Sequence, residues 1–151
     1  MIITELNRAD CTALLAAQRL GRLAVSRDGQ PYIVPVHFVL ESIYLYSFSL
    51  EGQKIDWMRA NPMVCVQVDE YGERREWKSV VVYGKYEELP DRIGWKHERD
   101  RAWSLLSTHA NWWEPGGQKP IPEGGTPHLF YRIVIDHVTG RRSQAERISR
   151  S

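Results

Sequence analysis

Between Arg22 and Ser49, three strand-like runs follow one another through turns too short for anything but reversal. Residues 22–26 are separated from residues 31–40 by Arg27-Asp28-Gly29-Gln30, and these from residues 43–49 by Glu41-Ser42. Asp-Gly accepts the positive φ of a tight hairpin turn. Parallel neighbours would need a crossover of a dozen or more residues, so these strands must be antiparallel. Pro35 lies inside the second run and cannot donate to a ladder, which calls for an edge, a bulge or a ligand there.

The flanking segments extend the pattern. Leu6, Ala9, Ala13, Leu14, Ala17 and Leu20 recur at helical spacing and predict a helix over about residues 7–19, capped by Asn7 and stopped by Gly21. Residues 51–60 read as a short helix ended by Asn61-Pro62. Residues 63–69 and 77–87 read as strands, with Gly84 marking a bend. A helix is expected from Pro90 to about Ser107, with Asp91 in its first turn. A Pro/Gly-rich loop over residues 110–127 follows, of a kind that is usually functional or mobile. Residues 129–135 form the last strand. Six strands with helices before, between and after predict a mainly β fold with flanking helices, most economically a small antiparallel barrel. Residues 1–140 are read as one domain and residues 141–151 as a basic, solvated tail.

Composition narrows the function. The chain has 151 residues, one domain's worth, and a domain of that size buries roughly 68–70% of its unfolded surface. No apolar run approaches the ~18 residues of a membrane span, and the first residues lack a signal-peptide layout. A cytoplasmic protein with no membrane contact is expected. Twenty Lys+Arg stand against nineteen Asp+Glu. Residues 141–151 hold four arginines against Glu146, or +3, which leaves −2 on the rest. That body offers no electrostatic footprint for nucleic acid. Cys11 and Cys65 could form one disulfide but no disulfide framework, and Cys65 reads as a buried thiol. The five histidines show no metal-ligand spacing, and neither Gly-x-Ser-x-Gly nor Gly-x-Gly-x-x-Gly occurs.

The segment Tyr46-Ser47-Phe48-Ser49-Leu50-Glu51-Gly52-Gln53-Lys54 carries chemistry. A strand ends and a helix begins within it, and the first amides of a helix lack internal partners and carry partial positive charge. Strand alternation puts Ser47 and Ser49 on one face. Gly52 admits close backbone approach, and Lys54 adds a full charge. Hydroxyls, free amides and an ammonium converging on one point suit a phosphate. The same residues also describe a capped surface helix with a solvated lysine. Likewise, His37 reads either as a hydrogen-bonded strand histidine or as a ligand contact. The adjacent Trp112-Trp113 read either as barrel packing or as contacts to a pocket or a partner subunit.

The order of motifs resembles the pyridoxamine 5′-phosphate oxidase-like flavin-binding split barrels, including the nitroimidazole-reductase-like branch. It runs from Gly21-Arg22-Leu23-Ala24 through Pro35-Val36, Phe38, Tyr44-Leu45-Tyr46-Ser47, Gly52-Gln53-Lys54 and Asn61-Pro62. Trp77-Lys78-Ser79-Val80, Gly84, Phe130-Tyr131-Arg132-Ile133 and Thr139-Gly140 complete it. The resemblance implies a six-stranded split β-barrel and a homodimer with two flavin mononucleotide (FMN) sites at the subunit interface. It implies phosphate contacts at Ser47, Ser49 and Lys54, with Tyr46, Phe48 and Gly52 around them. Val36, His37 and Phe38 would line the isoalloxazine largely through backbone groups, and Ser79 would lie nearby on a neighbouring strand. Electrons would pass from reduced nicotinamide through the flavin to a small-molecule acceptor. A flavin or haem carrier or sensor without turnover, and a deazaflavin-dependent reductase, are the alternative functions. Pyridoxamine-phosphate oxidation itself would need further cationic groups that the sequence does not assign.

Overall fold

A computed structural model of the chain describes residues 1–108 and 129–146. Its elements in order are β1 (Ile2–Glu5), α1 (Arg8–Ala17), β2 (Leu20–Arg27), β3 (Gln30–His37), β4 (Val39–Glu41), β5 (Tyr44–Ser49) and α2 (Gln53–Ala60). β6 (Met63–Tyr71), β7 (Trp77–Leu89), a single 3-10 turn (Ile93–Trp95), α3 (Lys96–Thr108) and β8 (Leu129–Gln144) follow. Asp28 and Gly29 take φ of 50° and 80°, the conformation the β2–β3 hairpin requires.

All pairings are antiparallel, in the order β3-β2-β6-β7-β8-β5-β4, with β1 on β8. The two ends of this order, β3 and β4, are joined through Phe38, so the sheet curls back on itself. Ser47 Oγ on β5 donates to the His37 carbonyl at the end of β3 (2.6 Å), which fastens the closure. β3 pairs with β2 alone along its ladder, and that edge position is what tolerates Pro31 and Pro35. β8 is the spine. One edge pairs with β7 along nearly its whole length, while the other takes β5 at residues 129–134 and β1 at residues 141–144.

Alternation fills the barrel. Leu23 and Val25, Val64, Val66 and Val68, and Val80 and Val82 point inward with Phe38 and Leu45. α2 adds Ile55 and Met58, both fully buried, to this core, and α1 adds Cys11, Leu14 and Leu15. A second cluster packs Ala102 and Leu106 of α3 on Val39, Tyr46, Leu89 and Phe130.

Four expectations change. Among the described residues the strands number eight, not six: β1 is additional, and the run over residues 31–40 breaks at Phe38 into β3 and β4. The basic tail does not begin at residue 141, because residues 141–144 belong to β8 and Ser143 is buried. α1 ends at Ala17, and Gly21 lies inside β2, where Phe38, Val66 and the Gln67 carbonyl crowd it. The turn after Pro90 is extended and 3-10, so α3 begins only at Lys96. Gly84 does mark an irregularity: the β7–β8 register shifts between Tyr83 and Gly84.

Candidate functional site

Where β5 passes into α2, Ser49 ends the strand, Leu50 and Glu51 turn, and Gly52 takes the N-cap position. Gly52 offers no side chain to cap the helix, so its first amides remain available to a ligand. A methyl group at Gly52 would meet no atom within 4 Å, so the backbone there is open to approach. A cleft of about 420 Å³ opens over this point, lined by Tyr32, Val34, Phe48, Ser49, Leu50, Glu51, Gly52, Gln53 and Lys54. Tyr32, Val34 and Phe48 supply an apolar wall, and the start of α2 supplies a polar one.

Lys54 is half-buried beside the cleft, and burial pushes its ammonium below the ordinary lysine range with no charged neighbour opposing the shift. Glu51 shares the rim, but its carboxylate is held by Arg59 in a two-pronged ion pair of 2.9 and 3.0 Å. The Ser49 hydroxyl donates to the Leu50 carbonyl (2.7 Å). An uncapped helix start next to a partly desolvated ammonium with no ion-pair partner among the described residues is the arrangement an anion would complete.

The expected site residues divide among three places. Phe48, Ser49, Gly52 and Lys54 meet at the cleft. Ser47 shares the face of Ser49, but its side chain is 4% exposed and its hydroxyl is spent on the His37 carbonyl. The buried Tyr131 hydroxyl stands beside it, with burial pushing its pKa up to about 12. The side chains of Val36 and Phe38 lie in the barrel core and that of Tyr46 under α3. Their backbone is engaged as well: the Phe38 amide donates to the Arg19 carbonyl (2.9 Å), Val36 pairs with Gly21, and Tyr46 pairs with Val39 on one side and Arg132 on the other. His37 and Ser79 lie on the outer face of the sheet. Burial lowers the His37 pKa against an opposing hydrogen bond with the Arg19 backbone. Ser79 accepts from Gln67 Nε2 (3.0 Å), and Arg22 donates to Gln67 (3.1 Å) and pairs with Asp69 (3.1 Å). Trp112 and Trp113 lie outside the described residues.

Sequence reasoning overlooked Tyr32 and Val34, although period-two alternation from Val36 places them on one face of β3. It also overlooked the Arg22–Gln67–Asp69 network, whose members meet only through strand register. Cys11 and Cys65 are both free, and Cys65 is half-exposed on the outer face instead of buried. Among the described residues, no group of three or more His, Cys, Asp or Glu could hold a metal ion, and no helix is long and apolar enough to cross a membrane.

The fold and cleft together define a split β-barrel protein with a pocket suited to an anionic ligand at the start of its second helix. The chain matches the pyridoxamine 5′-phosphate oxidase family over residues 7–142 and belongs to that family. An uncharacterized protein of Rhizobium meliloti (strain 1021) is 49% identical over 148 residues, covering 96% of this chain and 98% of the relative. The crystal structure of a protein from Mesorhizobium loti described as FAD-binding is 53% identical, with a TM-score of 0.81, over 95% of this chain and 100% of that one. A Bacteroides thetaiotaomicron protein described as a candidate 5-nitroimidazole antibiotic resistance protein shares the fold at 19% identity, with a TM-score of 0.69, over 94% and 89% of the two chains.

Proposed function

We propose that the chain is a flavin-nucleotide oxidoreductase, working as a homodimer in the cytoplasm and passing electrons from reduced nicotinamide to a small acceptor. The observation that carries the reading is Lys54: a half-buried ammonium with no partner carboxylate among the described residues, in the same first turn as the uncapped helix amides, on an open cleft with an apolar wall. The residues fit the group. Lys54 and the first amides of α2 would hold the flavin phosphate, with Ser49 and Gly52 beside them. Tyr32, Val34 and Phe48 offer the apolar contact that a flavin's carbon framework needs. Bound flavin supplies a two-electron relay that takes a hydride from the nicotinamide and returns two electrons with protons to the acceptor. The protein binds, orients and excludes water.

FMN is the smallest flavin nucleotide that satisfies one anion anchor. FAD is favoured by a specific finding, since the Mesorhizobium loti relative is described as FAD-binding. Both nucleotides present a phosphate at the same point of the flavin, so Lys54 serves either. A homodimer is supported by the outer face of the sheet, where the exposed Leu20, Ile33 and Tyr83 flank the Arg22–Gln67–Asp69–Ser79 network.

Titration with FMN, FAD and riboflavin tests the reading. Lys54→Ala should weaken FMN binding by roughly 1.5–3 kcal/mol, the scale of a hydrogen bond to a charged group. That is about ten- to a hundredfold in affinity. Riboflavin lacks the phosphate, so it should bind weakly to the parent and be indifferent to Lys54→Ala. Equal losses for both ligands would remove the phosphate contact. Anaerobic addition of reduced nicotinamide should bleach the bound flavin, and an acceptor should restore it. Flavin that no nicotinamide donor bleaches would make the protein a carrier.

A further inference from the structure

The cleft contains a contradiction that Arg59 resolves. Glu51 immediately precedes Gly52 and lines the same cleft as Lys54. A carboxylate on that rim would repel an incoming anion. It could also fold onto the uncapped α2 amides and Lys54 as an internal substitute for the ligand. The Glu51 carboxylate does neither, because Arg59, at the far end of the same short helix, grips both of its oxygens (2.9 and 3.0 Å). Arg59 is itself anchored from another element: its Nε donates to Glu88 Oε1 on β7 (2.8 Å), and that oxygen also accepts from the Tyr86 hydroxyl (2.6 Å). The guanidinium therefore spans from the strand β7 to the turn before α2. Its planar fork matches the carboxylate in a way a lysine cannot.

We infer that Arg59 is a positioning residue that sets the anion affinity of the cleft by holding the Glu51 carboxylate away from Lys54 and the first amides of α2. The inference rests on the proposed reading of the cleft as a flavin-phosphate site, and it makes Glu51 a built-in competitor that Arg59 keeps disengaged.

The test compares the parent with Arg59→Ala, Arg59→Lys and the double variant Arg59→Ala/Glu51→Gln, using FMN and riboflavin as probes. Arg59→Ala should weaken FMN binding by about two- to fivefold, the scale of one solvent-exposed charge pair, and leave riboflavin unchanged. The loss should shrink in high salt, where exposed charges are screened. Arg59→Lys keeps the charge but loses the fork, and should show part of the loss. The double variant should regain the parent FMN affinity, because the carboxylate that Arg59 restrained is gone. A purely structural role predicts the reverse, with the double variant as weak as Arg59→Ala or weaker. That result, or unchanged FMN affinity in Arg59→Ala when the parent prefers FMN over riboflavin, overturns the inference. A flavin-independent measurement separates it from the reading it rests on. An NMR titration of the Lys54 ammonium should show its pKa raised in Arg59→Ala, as the freed carboxylate approaches, and returned in the double variant. If the parent shows no preference for FMN over riboflavin while this pattern holds, the clamp stands and the flavin-phosphate reading falls. If the Lys54 titration is unmoved by Arg59→Ala, the clamp falls whatever the flavin preference.

Discussion

Lys54 meets opposed demands from stability and from binding. Burial favours its neutral form in the folded protein, so its folded pKa lies below its unfolded one. Between those two values the unfolded chain binds more protons, so stability of the ligand-free protein rises with pH across that window. Lys54→Met removes the cost of the half-buried charge. It should raise the unfolding midpoint at neutral pH, flatten the alkaline rise and abolish the preference for FMN over riboflavin. Chemical denaturation at neutral and alkaline pH, beside flavin titration, checks all three outcomes. On the proposed reading binding runs with the opposite sign: a phosphate held by the ammonium would lose its partner, so FMN affinity should fall as pH rises through a value below the usual lysine range. Riboflavin affinity should stay level over the same range, and a parallel fall for both ligands would point to unfolding instead. At this scale the polar half of the cleft was legible, because Ser49, Gly52 and Lys54 are near neighbours in sequence and meet where a strand becomes a helix. Ser47 was harder to read. Alternation correctly puts it beside Ser49, but only the closure of β3 onto β5 shows that its hydroxyl is taken by the His37 carbonyl.

α1 and β8 show how far local signals reach at the scale of elements. Asn7 was recognisable as a cap, and its side chain accepts from the Asp10 amide (2.8 Å). Asn7→Ala should cost about 0.5–2 kcal/mol, the usual range for a lost cap. α1 also carries Cys11 on its buried face, 1% exposed, with a thiol pKa raised first by burial and then by Asp10. Thiol-labelling rates should therefore show Cys11 slow in the parent and faster in Asn7→Ala. A Cys11 rate unchanged by loss of the cap would mean that α1 does not open separately from the barrel. Gly84 tests the bulge. A Cβ there would stand 2.5 Å from the Val134 carbonyl oxygen and 2.7 Å from Ile133 Cγ2, so Gly84→Ala should destabilise by roughly 1–3 kcal/mol through overpacking. Equilibrium denaturation measures it, and a neutral result would show that the β7–β8 pair can slide. Hairpins and helices were legible because their determinants lie within a few residues. β1 and the end of β8 were not, because their partners are remote in sequence: Ile2 to Glu5 lie opposite Gln144 to Arg141, more than a hundred positions away, and Arg141 to Ser143 pair with β7 on the other edge. Four residues at one terminus and a basic run at the other carry no local pattern that announces the pairing.

At the scale of the whole molecule, strand register assembles an outer face that no single segment displays. Directly opposite residues of antiparallel strands share a face. Ile33, Ala24, Cys65, Tyr83 and His137 therefore form one row across β3, β2, β6, β7 and β8. Ile33 is 63% exposed and Tyr83, stacked on His137 at 4.4 Å, is 38% exposed. The Arg22–Gln67 row and the Leu20, Asp69 and Ser79 positions lie alongside on the same face. Isolated exposed apolar side chains need no explanation, but a row of them beside an ordered polar network is what an interface between subunits looks like. A second copy seated there would bury His37 and Ser79, two of the expected site residues that a single chain keeps apart from the cleft. Sedimentation should accordingly give about twice 17.6 kDa for the parent. Ile33→Asp puts a carboxylate where the partner would exclude water, and should shift the protein toward 17.6 kDa while a single chain's fold, read by circular dichroism, persists. Flavin affinity should drop with dissociation, because a divided pocket loses one wall. A parent that sediments as a monomer with flavin bound would confine the whole site to one chain. It would leave the row across the sheet as ordinary surface, and His37 and Ser79 without a place in the pocket.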